Sequence, residues 1–538
     1  MQKILSWKNG YLPTILFTFI TYVVPFLCAF TAYNEDANKS IFINVIFFIF
    51  ASIVLLLQHK NVRKITLLFL AAIATAPNII VLAFLLMDNT IMKSTDFWVV
   101  FDTNFSEATG FLTTVPIISI VAGIIYATML IVSLIGAWRN EPNINIHWSV
   151  RVLSLICLLC VMLILPFRAK VPSVDFYKSF LNYQKEKIEV RQFYEKRKNI
   201  VLDVQSNMPK GKKTIIIAIG ESHTRNHMQL YGYSRQTNPQ LMSIKDELAI
   251  YTDICSPSIQ TLPCMKQILT FTNYENPNMY KQEASIVELA KAGGYTTYWA
   301  DNQGSGHGAF MIDTYTPTSY RTIAHLCDFY TDKNESPRDS MILTRLDTFL
   351  QDTAENKVIF LHLVGSHFPY NEHCEETYRI FTDKNVPSKF CCQMSDQQKQ
   401  IVNDYDNSML YNDYILYQII EKLKFQTGMS AFLYFPDHGE EVFDSQLYSG
   451  RSFEKISPSM CQIPLIFWDN ESFKEANPLS IDTTRAACTD DIIYGIMDIL
   501  LIKYSLYDAS HSIFNQAYKP KERFVQGLSY ENIIAHFE

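Results

Sequence analysis

A chain of 538 residues exceeds one typical domain, and its 46 Lys and Arg against 53 Asp and Glu, net charge -7, give no basis for nucleic-acid binding. Hydrophobic residues make up 48% of the sequence, yet the mean hydropathy is only +0.03, so the apolar content has to be concentrated. It lies in the first third, ahead of a polar remainder.

Five stretches there approach the roughly 20 apolar residues that a membrane span needs: Tyr11–Tyr33, Ile41–Leu57, Ile65–Met87, Thr114–Trp138 and Trp148–Phe167. The second is short and the third contains Pro77. The first is too long for a signal peptide and is followed by further spans, so it reads as an anchor. Lys3 and Lys8 precede span one, Lys60, Arg63 and Lys64 follow span two, and Arg139 follows span four. The loops after spans one and three carry Glu35, Asp36, Asp88, Asp96, Asp102 and Glu107 instead. Positive residues stay inside, which predicts a cytoplasmic N-terminus and an external segment after the fifth crossing, against the pull of Arg168 and Lys170.

From Val174 to Ile200 aromatic and charged residues alternate (Phe176, Tyr177, Phe180, Tyr183, Lys185, Lys187, Arg191, Phe193, Tyr194). The pattern predicts an amphipathic connector, lying on the bilayer or as a plain surface helix. The expected organisation is a five-helix membrane domain over 1–170, connecting helices over 171–210 and an exported polar domain over 211–538.

Past residue 211 short β runs alternate with helical ones. Strands are predicted at Lys213–Gly220, Thr296–Ala300, Lys357–Val364, Ala431–Phe435 and Ile463–Trp468, and helices at Ile286–Ala292, Asp339–Asp352 and Asp396–Lys424. The alternation implies an α/β fold with a mainly parallel sheet between two layers of helices. In such folds ligands bind beyond the carboxyl ends of the strands. Glu221, Asp301 with Asn302, His362 and His367 around Gly365-Ser366, and Asp437, His438 and Glu440 all stand there. Mixed carboxylates and imidazoles suit zinc, with manganese or another hard divalent ion as the alternative. The loop Cys255-Ser256-Pro257-Ser258-Ile259-Gln260-Thr261-Leu262-Pro263-Cys264 offers hydroxyl nucleophiles, and Thr261 before a predicted helix stands where a phosphate is welcome. Eight of the eleven cysteines lie beyond the spans, an even number that suggests disulfides in an exported domain, with Cys255 to Cys264 as the expected pair.

Ile219-Gly220-Glu221-Ser222 followed by Leu230-Tyr231-Gly232-Tyr233-Ser234-Arg235-Gln236-Thr237-Asn238-Pro239 resembles the signature of the phosphoethanolamine transferases, inner-membrane enzymes of the alkaline phosphatase/sulfatase superfamily. Val364-Gly365-Ser366-His367-Phe368-Pro369-Tyr370, Tyr405-Asp406-Asn407-Ser408 and Asp437-His438-Gly439-Glu440-Glu441 add to the likeness, which covers essentially the whole chain. The resemblance implies that Glu221, Asp437, His438 and Thr261 hold a catalytic zinc and that Thr261 accepts phosphoethanolamine. Ser258 is the rival nucleophile, because alignment on Pro263-Cys264 puts it at that position. His367 matches a histidine that contacts the phosphoryl group or a second zinc, and His362 precedes it at family spacing as a substrate contact.

The chain departs from the pattern after Glu441. Family members carry a further active-site histidine about a dozen residues beyond the Asp-His pair, whereas Leu447-Tyr448-Ser449-Gly450-Arg451-Ser452 has none. Arg451 offers positive charge to a phosphate but cannot replace a zinc ligand, so one zinc is expected and a second is left open. Thr103 and Glu107 resemble a periplasmic-loop motif near the donor lipid. The implied partners are phosphatidylethanolamine as donor, a lipopolysaccharide acceptor and the membrane, with a monomer expected. The Glu440–Asp444 stretch and the Ser-Pro loop sit closer to the branch that modifies core sugar than to the lipid A branch. Two other readings share these residues: a glycerol-phosphate transferase or sulfate-ester hydrolase of the same superfamily, and a membrane-anchored metal-binding sensor without turnover.

Overall fold

The computed structural model describes residues 11–29, 37–88, 117–140, 146–164, 172–197, 200–303, 320–331, 338–452 and 455–537. Among these the chain forms two compact units, one ending at Lys185 and the other beginning at Glu186. The described parts of all five predicted apolar stretches are helical. They form α1 (Tyr11–Tyr22), α2 (Val24–Ala29), α3 (Ala37–Leu57), α4 (Lys60–Asp88), α5 (Ile117–Arg139) and α6 (Trp148–Ile164). By length and composition Tyr11–Cys28, Lys60–Leu82 and Ile120–Arg139 are able to cross a membrane, while Asn44–Leu57 and Trp148–Leu159 are shorter apolar helices. The predicted connector is α7 (Pro172–Arg197).

Two prolines interrupt the first unit, and the structure answers both. Proline has no N–H, so the carbonyl four residues earlier loses its helical partner, and in an apolar surrounding that carbonyl has to find another. Pro25 splits the first predicted span into α1 and α2, and the Thr21 carbonyl it frees accepts from Asn78 Nδ2 at 2.8 Å. Pro77 lies inside α4, and the Ile73 carbonyl accepts from the Tyr177 hydroxyl at 3.0 Å.

The second unit is built on β1 (Lys213–Gly220), buried along all of its length. A near-continuous apolar run suits the middle of a sheet covered on both faces. The other strands are β2 (Ala249–Tyr251), β3 (Thr296–Asp301), β4 (Phe329–Thr331), β5 (Asn356–His362), β6 (Met429–Pro436) and β7 (Leu465–Asp469), in the spatial order β2-β7-β6-β1-β5-β3-β4. Strands β6, β1, β5, β3 and β4 run parallel. β7 is antiparallel to both neighbours, so the sheet is mainly rather than wholly parallel. Its carboxyl end points away from the site.

Side chains alternate along β1. Ile215, Ile217 and Ile219 join one core with α8 (Thr261–Ile268), α9 (Ile286–Ala292) and α12 (Ile492–Ile499). Ile216 and Ala218 join the opposite core with α10 (Ser340–Gln351) and α11 (Asp396–Lys424). α9 and α11 each begin in a reciprocal cap, Ser285 with Glu288 and Ser395 with Gln398, which satisfies backbone donors that the first turn leaves open.

Candidate metal and nucleophile site

β1 and β6 stop together, Gly220 opposite Pro436, and their ladder continues into the following turns. Asp437 N–H donates to the Gly220 carbonyl at 3.0 Å, and His223 N–H donates to the His438 carbonyl at 3.0 Å. Glu221 and Asp437 are therefore side by side at the carboxyl edge because the strands beneath them are in register. On the other flank Ser366 N–H donates to the Glu221 carbonyl at 3.0 Å. Gly365 permits this approach: its φ is +52°, and a Cβ there would come 2.7 Å from the Glu221 carbonyl oxygen. Gly439 does the same after His438, where a Cβ would lie 2.2 Å from the Ser459 carbonyl.

Ser222 takes a φ of 54°, costly for a residue with a side chain. Its carbonyl accepts from the Tyr405 hydroxyl at 2.8 Å, that hydroxyl accepts from Thr224 N–H at 3.0 Å, and Ser222 Oγ donates to Glu221 Oε1 at 2.8 Å. The strained turn is thus held from α11 and aims the Glu221 carboxylate.

Thr261 opens α8. Its hydroxyl donates to Glu221 Oε2 at 3.0 Å and lies 3.4 Å from His438 Nε2. His438 Nε2 is 3.2 Å from Glu221 Oε1 and 3.3 Å from Asp437 Oδ2. The His438 tautomer follows from its other nitrogen, which contacts the Gly439 carbonyl at 2.9 Å. A carbonyl only accepts, so Nδ1 carries the proton and Nε2 presents a lone pair. Asp437 Oδ1 accepts from the N–H groups of His438 at 2.7 Å and Ser222 at 3.3 Å, while Oδ2 is buried without a hydrogen bond of its own.

Ligand atoms of Glu221, Asp437 and His438 lie within 4.8 Å of one another, all three residues buried. Two carboxylates, an imidazole lone pair and a hydroxyl around one point form a donor set that fits a divalent cation. The charges agree. Burial and the neighbouring Glu221 push the Asp437 carboxyl well above its usual range. Burial opposes ionisation of Glu221 too, but His438, His367 and Arg451 hold its carboxyl well below the ordinary value. Burial and the Arg451 charge push His438 down, toward the neutral ring a metal requires.

His367 is half-buried and lies within electrostatic reach of Glu221, with its Nδ1 donating to the Phe368 carbonyl at 2.6 Å, so its Nε2 also offers a lone pair. Arg451 reaches the same locus: Nη1 donates to His438 Nε2 at 2.5 Å, and Nε pairs with Glu440 Oε2 at 3.3 Å. Glu440 accepts from the Tyr370 hydroxyl at 3.2 Å, and burial pushes its carboxyl up to about 7 against the pull of Arg451.

Other expected site residues make different contacts. Ser258 Oγ accepts from Gln260 N–H at 3.3 Å and Gln526 Nε2 at 3.0 Å. His362 ends β5, fully buried, with Nδ1 3.3 Å from Asp301 Oδ1. Cys255 and Cys264 are both free thiols. Cys264 sits on α8, which turns it inward to donate to the Ser258 carbonyl at 3.2 Å, so the expected bridge is absent. Thr103 and Glu107 lie outside the described residues. One site neighbour escaped sequence reading: Gln303 Nε2 donates to Glu221 Oε2 at 3.2 Å and to the Leu363 carbonyl at 2.8 Å. Its one signal in the sequence is its place two residues past the Asp301 strand end, and an uncharged amide carries no other mark of a site.

A family model described as Sulfatase matches residues 213–502, more than half of the chain. The chain belongs to the sulfatase family. Within that family, phosphoethanolamine transferase EptC of Escherichia coli (strain K12) is 29% identical over 62% of this chain and 58% of its own length. Phosphoethanolamine transferase CptA of Salmonella typhimurium is 28% identical over 61% of this chain and 57% of its own. The sulfatase-family chain thus spans less than two thirds of the length of these relatives. Among solved structures, the C-terminal periplasmic domain of EptC from Escherichia coli in complex with Zn superposes with a TM-score of 0.56 at 27% identity, covering 60% of this chain and 92% of that one. The integral membrane protein EptA from Neisseria meningitidis matches 95% of this chain and 99% of its own with a TM-score of 0.63 at 17% identity, a likeness of fold.

Proposed function

We propose that this protein transfers phosphoethanolamine from phosphatidylethanolamine to a lipopolysaccharide acceptor, core sugar or lipid A, through a covalent intermediate on Thr261. The observation that carries the proposal is the Thr261 hydroxyl, which donates to Glu221 at 3.0 Å and lies 3.4 Å from His438 Nε2. A nucleophile needs its proton directed onto a base and its oxygen left facing the electrophile. The names of the relatives EptC and CptA, and the zinc-bound EptC domain, support the choice of substrate class and metal.

Glu221, Asp437, His438 and Thr261 would hold a zinc ion, which when bound lowers the pKa of the hydroxyl and draws charge from the phosphoryl oxygens. Thr261 passes its proton toward Glu221 and attacks phosphorus, the bond to the diacylglycerol oxygen breaks and that oxygen takes up the proton as diacylglycerol leaves, and phosphoethanolamine remains on the threonine oxygen. An acceptor hydroxyl then takes the group in line, returning Thr261 to its hydrogen bond with Glu221. Arg451 reaches the same point and stabilises charge on the equatorial oxygens, and His367 adds to that charge when its Nε2 takes up a proton. The positive end of α8, which begins at Thr261, adds to that field. Five membrane crossings with a cytoplasmic N-terminus would place residues 211–538 in the periplasm beside both lipid substrates, which raises their effective concentration at the site.

Intact-protein mass spectrometry after incubation with phosphatidylethanolamine tests this. Wild type and Ser258→Ala gain the mass of phosphoethanolamine, and Thr261→Ala does not. An adduct on Thr261→Ala refutes the assignment.

A further inference from the structure

The strand that leads into the nucleophile loop carries a second reactive feature. Asp253–Cys255 pairs in parallel with Ala486–Cys488, with Cys255 directly opposite Cys488, and burial together with the neighbouring Cys255 thiol pushes the Cys488 thiol well up. Both are buried. Directly paired residues of adjacent strands have Cα atoms about 4.8 Å apart, within the span a disulfide bridges, and paired side chains leave the same face. Cys461 is buried in the same apolar cluster, but its thiol donates away, to the Ser457 and Pro458 carbonyls at 3.6 and 3.5 Å.

We propose that Cys255 and Cys488 are a disulfide-forming pair that braces the nucleophile helix. The proposal deepens the functional reading, because it expects an oxidising compartment outside the inner membrane. One thiolate attacks a small-molecule or protein disulfide and releases one thiol. The second thiolate attacks the mixed disulfide and releases the other, so the pair gives up two protons and two electrons and gains one S–S bond. The consequence is local. Cys255 is followed by the loop to Thr261, and the turn Thr489–Asp491 after Cys488 packs against α8. The bond would fix both supports of the residue that accepts the phosphoryl group.

The test uses full-length protein in detergent, equilibrated with reduced and oxidised glutathione, quenched with acid, alkylated and digested. The expected result is a linked pair of peptides carrying Cys255 and Cys488, with Cys264 and Cys461 alkylated. Recovery of Cys255 and Cys488 both alkylated, or of Cys255 linked to Cys264 or Cys461, overturns the proposal. In a second measurement, reductant lowers the thermal midpoint of the wild type by about 5 °C or more, as expected for a long closed loop, and leaves the Cys255→Ser/Cys488→Ser variant unmoved. An equal response of the two proteins overturns it as well. A membrane-impermeant maleimide on the exposed Cys392 in intact spheroplasts separates this question from export. Failure to label Cys392 refutes the periplasmic placement, while the glutathione equilibration still decides the pairing.

Discussion

Replacing Asp406 by Asn should unfold the second unit early, and the loss should depend on pH. Asp406 is fully buried on α11 and receives three partners: His227 Nδ1 at 2.6 Å, the Tyr233 hydroxyl at 2.9 Å and Arg235 Nη1 at 2.7 Å. His227 Nε2 also faces Asp444 Oδ1 at 3.1 Å. Burial alone would push the imidazole down, but the charges of Asp444 and Asp406 raise it to about 10, so it is an imidazolium between two carboxylates. Breaking one arm of a buried pair costs about 3–5 kcal/mol. The rise from 6.5 to about 10 gives a ceiling on the order of 5 kcal/mol, at about 1.4 kcal/mol per unit. The folded value lies above the unfolded one, so this stabilisation is complete below pH 6.5 and disappears as pH rises through 10. Thermal denaturation at pH 6.5 should show Asp406→Asn melting about 5–10 °C lower, and the gap should narrow at pH 10. A deficit below about 1 kcal/mol at pH 6.5, or wild-type pH dependence in the variant, would refute this reading.

Glu221→Gln turns an acceptor that receives Ser222, Thr261 and Gln303 into a group with an N–H facing donors, and bound metal measured by elemental analysis should fall to background. Gln303→Ala keeps every proposed ligand but removes the amide behind Glu221, and metal affinity by competition with a chelator should drop about 10- to 100-fold. Gly439→Ala places a methyl 2.2 Å from the Ser459 carbonyl, and urea unfolding should report a loss of about 2–3 kcal/mol. Arg451→Ala should slow formation of the Thr261 adduct about 100-fold with metal content unchanged, as stopped samples analysed by mass would show.

The sheet was legible where a strand is buried on both faces. Lys213–Gly220 reads as a strand because Ile215 to Ile219 is an unbroken apolar run, and its end at Glu221 marks the edge that carries the site. Direction was not legible in the same way. Leu465–Asp469 has the same apolar character, and only pairing with Ala249–Tyr251 and Met429–Pro436 reverses it. Three-residue strands such as Ala249–Tyr251 and Phe329–Thr331 are too short to show a period. The Leu230–Pro239 and Tyr405-Asp406 motifs announced a family, yet in the structure they hold the fold. Asp406 gathers His227, Tyr233 and Arg235, and Asp413 caps the helix Pro239–Ser243 through the N–H groups of Gln240 and Leu241 at 2.8 and 2.9 Å. The Cys255–Cys264 pairing failed because sequence distance counts residues and ignores the direction in which α8 turns each side chain.

The hydrogens around Glu221, Asp437 and His438 are placed to leave room for a cation. Backbone N–H groups occupy Asp437 Oδ1, and the Gly439 carbonyl holds the proton of His438 on Nδ1. Ser222, Thr261 and Gln303 all donate to Glu221. Each contact turns a lone pair inward, so Asp437 Oδ2, Glu221 Oε1 and His438 Nε2 converge within 3.3 Å of Nε2. Burial and the neighbouring Glu221 push the Asp437 carboxyl well above its usual range, so the pair holds both negative charges only with positive charge beside them. A protein whose only aim was stability would replace one carboxylate by an amide or a leucine. Retaining both, and fixing both from behind, makes sense when positive charge completes the centre, and Arg451 already points its guanidinium at that same gap.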